Sequence, residues 1–309
     1  MNKKLSRRDF IKLQAKSGLF LATTASGLFL PKFSLAAITP DIGVATGKAV
    51  AATRAAVDLI GGIKSVVKKG QRVLIKPNMS FARSPEAASN THPDVVKTVA
   101  ALCREAGASR VMILDHTLAP GKICLQTSGI GPACKVIDKN MVQTINDSSF
   151  YKQVTIAKAK SLSKTDVAKE FLKTDVLIAV PVAKSHSATG VSLSMKGMMG
   201  LIYDRGIMHR IDLNETIVDL ASLLKADLTI IDGTRVLSTG GPGGPGKVIR
   251  KDTIIASKDM VAADACAVAA FEWYGKKFKP TQVGHIRLAH ERGLGRADIE
   301  SLLIKTISI

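Results

Sequence analysis

Short, uninterrupted apolar runs alternate along this chain with longer stretches whose apolar residues recur at helical spacing. The clearest run is Val176–Val180, which Pro181 ends, and the clearest amphipathic pattern is Leu213–Leu224. Runs of this kind are typical of strands covered on both faces, and the periodic stretches between them are typical of crossover helices. Further strands are predicted at 73–75, 111–114, 154–156, 228–231, 253–256 and 303–307, and further helices at 48–67, 91–107, 164–172, 260–271 and 282–290.

This alternation predicts an α/β fold, a mostly parallel sheet with helices on both faces, as in Rossmann-like proteins. Right-handed crossovers place the carboxyl ends of parallel strands at one edge, and ligands of open sheets bind outside that edge. The chain shows neither an internal repeat nor a long linker. We therefore expect a single domain over about 43–305, with an inserted lobe at about 117–170.

The amino terminus has a different pattern. Ser6–Lys12 contains a pair of arginines followed by Phe10, and a mildly apolar stretch, Ser17–Leu30, leads to small residues at Ser34–Ala37. This arrangement predicts a twin-arginine signal peptide over 1–36, export through the twin-arginine translocase, and a periplasmic or otherwise exported mature protein. The apolar stretch is too short for a stable transmembrane span after cleavage. An uncleaved amphipathic anchor is the alternative.

Charge narrows the choice of partner. The chain carries a formal charge of +19, and without the leader 37 Lys and Arg still face 24 Asp and Glu. Such an excess favours an anionic small molecule, an acidic redox protein or anionic lipid. Nucleic acid is not expected, because an export leader is present and only 4% of residues are aromatic.

The four cysteines, Cys103, Cys124, Cys134 and Cys266, include no C-x-x-C pair. Cys103 and Cys266 fall within apolar helical patterns, which is typical of buried small side chains. Cys124 and Cys134 flank a glycine-containing stretch, and a disulfide between them is an alternative for an exported protein. An iron–sulfur cluster on all four is a further alternative, although the spacing does not call for one.

Polar side chains follow the predicted strands at the points where the strands end. The pairs are Lys76 and Asn78, Asp115 and His116, Lys184 and His186, Asp232 and Gly233, and Lys258 and Asp259. Each pair on its own is ordinary turn chemistry. If all strands are parallel, however, the pairs converge on one edge, and together they predict a site there.

Lysine, imidazole and hydroxyl groups are mixed around His92 and Lys184, and such a set suits a carboxylate or phosphate ligand. Lys196 lies in the otherwise apolar segment Ser194–Gly200. It either extends to solvent or is desolvated with a lowered pKa, the state that a base or an imine-forming lysine needs. The histidines and aspartates show no ligand spacing that requires a metal, so we predict no metal site.

The glycine- and proline-rich segment Gly240–Lys247 partly matches a phosphate-binding loop. A true loop continues with Ser or Thr and a helix, whereas Val248 and a predicted strand follow here, so nucleoside triphosphate binding is rejected. The remaining interpretations are a wide structural turn and a loop whose backbone approaches a ligand at Gly241, Gly243 and Gly244.

Taken together, these segments resemble the domain of unknown function 362 family over about residues 43–305. The matching motifs, in order, are Val73–Asn78, Thr91–Val96, Glu105–Ala108, Asp115, Val180–His186, Ser194–Gly200, Ile231–Gly233 and Gly241–Gly246. The resemblance implies redox or cofactor-related work, because members are often exported or joined to ferredoxin-type modules. This chain lacks a ferredoxin cysteine run. The site residues that the resemblance implies are Lys76, Asn78, His92, Lys184, His186, Lys196 and Asp232.

We therefore expect an exported enzyme, or a redox or cofactor-associated protein, with an anion-accepting site at the carboxyl edge of the sheet. In this interpretation Lys184, His186 and Lys196 are the catalytic candidates. His186 is the acid or base, Lys196 is a base of lowered pKa, and Lys184 also contributes charge. The expected ligand-binding residues are Lys76, Asn78, His92, Asp115, Asp232, Gly241, Gly243 and Gly244. A non-catalytic periplasmic binding or accessory protein and an iron–sulfur or metal carrier are the alternatives.

Overall fold

The main sheet is built from the buried apolar runs of the sequence. The computed structural model describes residues Thr39–Ile309, so the predicted leader lies outside the described residues. The strands are β1 (Ile42–Thr46), β2 (Arg72–Pro77), β3 (Arg110–Asp115), β4 (Val142–Thr144), β5 (Tyr151–Thr155), β6 (Lys164–Ala168), β7 (Val176–Val180), β8 (Val182–His186), β9 (Gly190–Val191), β10 (Leu228–Leu237), β11 (Val248–Ser257) and β12 (Ile304–Ser308).

Strand order in the large sheet is β12-β1-β11-β10-β7-β2-β3-β4, and β8 pairs with the second half of β10. The pairs from β10 through β7, β2 and β3 to β4 are all parallel, as is the pair β1–β12. β11 runs antiparallel to both of its neighbours, β10 and β1. The sheet is thus mostly parallel, and the predicted α/β class is confirmed.

Helices cover the sheet on both faces, and side chains of one strand alternate between two apolar cores. Leu74 packs into one core, whereas Val73 and Ile75 pack into the other. This alternation explains why the strands read as unbroken apolar runs. The helices are α1 (Ala49–Leu59), α2 (Pro93–Glu105), α3 (Gly121–Thr127), α4 (Ile130–Lys135), α5 (Leu193–Gly197), α6 (Gly206–Arg210), α7 (Leu213–Leu223), α8 (Met260–Ala270) and α9 (Gly284–Glu291).

Segment 117–170 is divided between two sheets. β4 adds the last strand to the main sheet, whereas β5 and β6 form a separate antiparallel hairpin. The predicted helix at 164–172 was wrong, because Lys164–Ala168 is strand β6, with Thr165, Val167 and Ala168 buried. Pairing with β5 overrides the local helical pattern.

Pro181 interrupts the strand conformation and separates β7 from β8. The carbonyl of Pro181 accepts a hydrogen bond from the Asp232 N–H at 2.8 Å, so the chain stays attached to β10 while it changes direction. β8 then extends beyond the carboxyl end of β7 with all five residues buried. Lys184 and His186 are therefore carried on a strand, above the carboxyl edge of the sheet.

Within Thr39–Ile309, no helix combines the length and the apolar character needed to cross a bilayer.

Candidate functional site

A cavity of about 410 Å³ opens at the carboxyl edge of β2 and β3, between β8, α5 and the segment that leads into α6. Of the predicted site residues, it brings together Lys76, Asn78, Asp115, Lys184, His186 and Lys196. Seven of the seventeen residues that line it carry nitrogen in their side chains. The cationic and imidazole groups are Lys76, Lys184, Lys196, Arg205, His186 and His209.

Lys76 and Asp115 form the floor of the cavity as a buried ion pair. They end the neighbouring parallel strands β2 and β3, and Lys76 Nζ lies 3.0 Å from Asp115 Oδ1. The other oxygen, Oδ2, accepts hydrogen bonds from Met79 N and Ser80 Oγ, both at 2.9 Å. Burial lowers the pKa of Lys76, and the charge of Asp115 opposes this shift. This pair is therefore internally compensated.

Gly200 closes the ion pair from above, and no side chain fits there. A Cβ at this position would lie 1.9 Å from Asp115 Oδ1 and 2.4 Å from Lys76 Cε. The sequence alone gave no sign of this close approach. Gly200 lies within the 3₁₀ turn Met198–Leu201 that continues α5, and this turn places its backbone against the pair.

Asn78 is held by its backbone and by its side-chain oxygen. Its N–H donates to Thr91 Oγ1 at 2.9 Å, and its Oδ1 accepts from Val182 N at 3.0 Å. The Nδ2 group lies on the side of Gly197 in α5, 3.8 Å from the place of a Cβ there. The amide can therefore offer its N–H donors to a ligand in the cavity.

Lys184 is buried with 4% of its surface exposed, yet it forms no ion pair among the residues that the structure describes. Its Nζ donates to the carbonyl of Ser89 at 2.6 Å and lies 4.8 Å from the centre of the Phe81 ring. Asn90 fixes this loop by donating from Nδ2 to Phe81 O at 2.8 Å. Burial is the main reason that the pKa of Lys184 falls to about 7.

Lys196 lies on α5, whose first turn is fixed by the buried Asp264. The two oxygens of Asp264 accept from Ser194 N at 2.9 Å and from Met195 N at 3.0 Å. Lys196 is partly buried and lines the cavity, with Nζ 3.5 Å from Met199 Sδ. Burial, and then the positive charge of Arg205, lower the pKa of Lys196 to about 8. The structure thus favours the desolvated alternative for this lysine.

His186 is an uncharged imidazole at neutral pH. Its Nδ1 accepts from Ala188 N at 3.1 Å, so in the neutral ring the proton is on Nε2. Burial, followed by Lys196 and Lys184, lowers the pKa of His186 to about 3. The ring lies 6.5 Å from that of His209, whose pKa is also lowered, mainly by burial. The predicted acid or base is therefore placed here as a neutral hydrogen-bond donor.

Sequence reasoning missed Arg205, and it considered His209 only among the histidines that lack metal-ligand spacing. Both line the cavity, but they lie on the segment Asp204–Arg210 rather than after a strand. The sequence did contain one indication of Arg205, because this residue comes shortly after the motif Ser194–Gly200. A cation near such a motif faces the same cavity if the chain turns back, and the 3₁₀ turn at Met198–Leu201 provides that turn.

His92 and Asp232 lie beside the cavity but do not line it. Asp232 is fully buried within β10, and its Oδ2 accepts from His92 N at 2.7 Å. Its Oδ1 accepts from the N–H and the hydroxyl of Thr234, at 2.9 and 2.6 Å. The His92 ring caps α2 by accepting from Asp94 N at 3.1 Å. Both side chains are thus engaged in holding loops together.

The glycine- and proline-rich loop packs against the wall of the cavity, and Pro242 contributes to the lining. Gly241 N donates to Ser185 Oγ at 3.0 Å, and a Cβ on Gly241 would lie 1.9 Å from Ser185 O. A Cβ on Gly243 would lie 2.8 Å from the Phe81 ring. Gly244 has a φ of +74°. The close approaches of Gly241 and Gly243 are therefore to β8 and to Phe81.

Lys258 and Asp259 are at the opposite edge of the sheet, so their expected convergence with the other strand ends was wrong. They follow β11, which runs antiparallel to its neighbours. Asp259 Oδ1 instead caps α8 by accepting from Val261 N at 2.8 Å and Ala262 N at 3.0 Å.

All four cysteines are buried and free, including Cys124 and Cys134. Over Thr39–Ile309, no three His, Cys, Asp or Glu side chains gather as a metal site would require.

Comparisons with known proteins found a family, a relative and a structural neighbour. The model of a family described as a domain of unknown function (DUF362) matches residues 73–269. A thylakoid-associated protein of Synechocystis sp. is 28% identical over 228 residues, which are 71% of this chain and 68% of that protein. The lactate racemase apoprotein from Thermoanaerobacterium thermosaccharolyticum aligns with a TM-score of 0.43 and 12% identity, over 70% of this chain and 54% of that chain. All residues lining the cavity lie within the family match.

Proposed function

The chain belongs to the domain of unknown function 362 family, and we propose that this member is an exported enzyme, or a cofactor-associated protein, that binds a small carboxylate or phosphate anion. The binding site is the cavity at the carboxyl edge of the sheet. The observation that carries the proposal is the charge of the lining. Lys184, Lys196 and Arg205 face one cavity without an ion-pair partner among the described residues, and Asp115 is the one carboxylate in that lining.

Unpaired buried cations are costly, and an anionic ligand would relieve that cost. The lowered pKa values of Lys184 and Lys196 report that burial disfavours their charged forms. An anion that enters the cavity favours the charged form of Lys196 and supplies the acceptor that this lysine lacks. Asn78 and His186 add neutral N–H donors that fix the orientation of the ligand.

The test is calorimetric titration of the purified protein with succinate and with inorganic phosphate, in the wild type and in Lys196→Met. We expect binding that weakens at least about tenfold in the variant, because a hydrogen bond to a charged group contributes about 1.5–3 kcal/mol. Lys258→Met is the matched control, since Lys258 is exposed at the opposite edge. Equal affinities in Lys196→Met and the wild type, or no binding of either anion, would overturn the proposal.

Export is supported by the leader over 1–36, which lies outside the described residues. Replacing Arg7 and Arg8 together by lysine should retain the protein in the cytoplasm, as measured by fractionation of the exporting cells. Export of the double variant at the wild-type level would rule out the twin-arginine route.

A further inference from the structure

Two buried lysines that line the same cavity have different electrostatic environments. Lys76 and Lys184 are 3% and 4% exposed, so burial affects both. Lys76 has the carboxylate of Asp115 at 3.0 Å, whereas the hydrogen-bond acceptor of Lys184 is an uncharged carbonyl, Ser89 O at 2.6 Å. One lysine is thus stabilised as a cation, and the other is not.

We propose that Lys184 is an imine-forming nucleophile and that the anion bound in the cavity is a 2-oxo acid. This inference rests on the proposed anion site. A 2-oxo acid combines a carboxylate, which Lys196 and Arg205 can bind, with an adjacent carbonyl carbon that an amine can attack. The cavity places an amine without a carboxylate partner and these two cations around one space.

The environment of Lys184 also suits the product. A protonated imine keeps one N–H, and Ser89 O can go on accepting from it. The new positive charge then lies near the Phe81 face, which the amine already approaches at 4.8 Å. The pKa of about 7 leaves a substantial fraction of Lys184 uncharged near neutral pH, as nucleophilic attack requires.

The step balances within the cavity. The lone pair of Lys184 Nζ forms a bond to the carbonyl carbon, and the electrons of the C=O π bond move to oxygen, which takes a proton from the Lys196 ammonium. The added nitrogen returns a proton to Lys196. Lys196 then protonates the hydroxyl, the C–O bond breaks, and water leaves a protonated imine. Lys196 can act in both directions because its pKa is about 8.

Reductive trapping tests this assignment on the wild-type protein. The protein is incubated with pyruvate and cyanoborohydride near neutral pH, and the modified peptide is identified by mass spectrometry. Hydride adds to the imine carbon and leaves a stable secondary amine. We expect the mass of one reduced pyruvate on the peptide that contains Lys184. No adduct, or an adduct confined to Lys76, Lys196 or surface lysines, would overturn the assignment.

Two controls separate this inference from the proposed function. Succinate has no ketone, so it should protect Lys184 from labelling while forming no adduct itself. If succinate binds but pyruvate is never trapped, the anion site stands and the imine fails; if neither binds, both fail. Lys184→Arg keeps a cation but lacks a nucleophilic amine. It should lose the adduct, and retained labelling at wild-type extent in this variant would also overturn the assignment.

Discussion

Two neighbouring groups of polar residues at the same edge of the sheet use their hydrogen bonds in opposite ways. Around Asp232, both carboxylate oxygens are occupied by His92 and Thr234. In the cavity next to it, Lys184 and Lys196 have a carbonyl and a thioether as partners. The first group is internally satisfied, and the second retains capacity for a ligand.

This difference shows that a position directly after a strand is not enough to identify a ligand-binding residue. Turn chemistry and ligand chemistry use the same residue types. What distinguishes them is whether the charge is already compensated by the fold. The ion pair of Lys76 and Asp115 is intermediate, since it lines the cavity but is compensated within itself.

The largest effect is expected at Asp232, in the group whose hydrogen bonds are satisfied within the fold. Asp232→Ala removes the acceptor of three buried hydrogen bonds, and we expect the free energy of unfolding to fall by about 3 kcal/mol. Urea unfolding followed by circular dichroism measures it. The control is Asp58→Ala, an exposed helical position, which should stay within about 0.5 kcal/mol of the wild type. A loss below 1 kcal/mol in Asp232→Ala is roughly that of one neutral hydrogen bond. It would contradict the claim that the hydrogen bonds of Asp232 hold this region together.

A smaller effect is expected at the compensated ion pair. Gly200→Ala places a methyl group against Asp115 and Lys76, so we expect a loss of about 1–3 kcal/mol in unfolding free energy and weaker succinate binding. Gly197→Ala is the matched control, because the nearest atom to its Cβ is 3.8 Å away. Similar unfolding curves for the two variants would show that the close approach at Gly200 carries no cost.

The smallest effect is expected at Lys184, in the group that retains capacity for a ligand, and it depends on pH. The pKa of Lys184 is about 7 in the folded protein and near its ordinary 10.5 when unfolded. Between these values the unfolded state binds more protons, so the contribution of Lys184 to stability improves as pH rises. Between pH 7 and 9 the wild type should gain about 2 kcal/mol relative to Lys184→Met. Parallel stability curves of the two proteins would contradict the lowered pKa.

Much of the fold was readable from the sequence because the strands are covered on both faces. A run such as Val176–Val180 has every residue buried, and no surface helix has that pattern. The strand ends then predicted five of the residues that line the cavity, and the segment Ser194–Gly200 added Lys196. The family motifs pointed to the same residues.

The rest depends on contacts between distant segments. An apolar run carries no information about direction, so the antiparallel course of β11, and with it the displacement of Lys258 and Asp259, could not be predicted. The strand β6 exists because β5 lies beside it. Arg205 enters the cavity only because the chain turns back after Gly200.

The interruption of the strand at Pro181 has a consequence for the affinity with which a ligand can bind. Because β8 continues from a core strand and is itself buried, the backbone that carries Lys184 and His186 is immobilised before anything binds. A ligand therefore gives up little entropy to order these two groups. Arg205 and His209, on a more exposed segment, are the groups with freedom to adapt to ligands of different length.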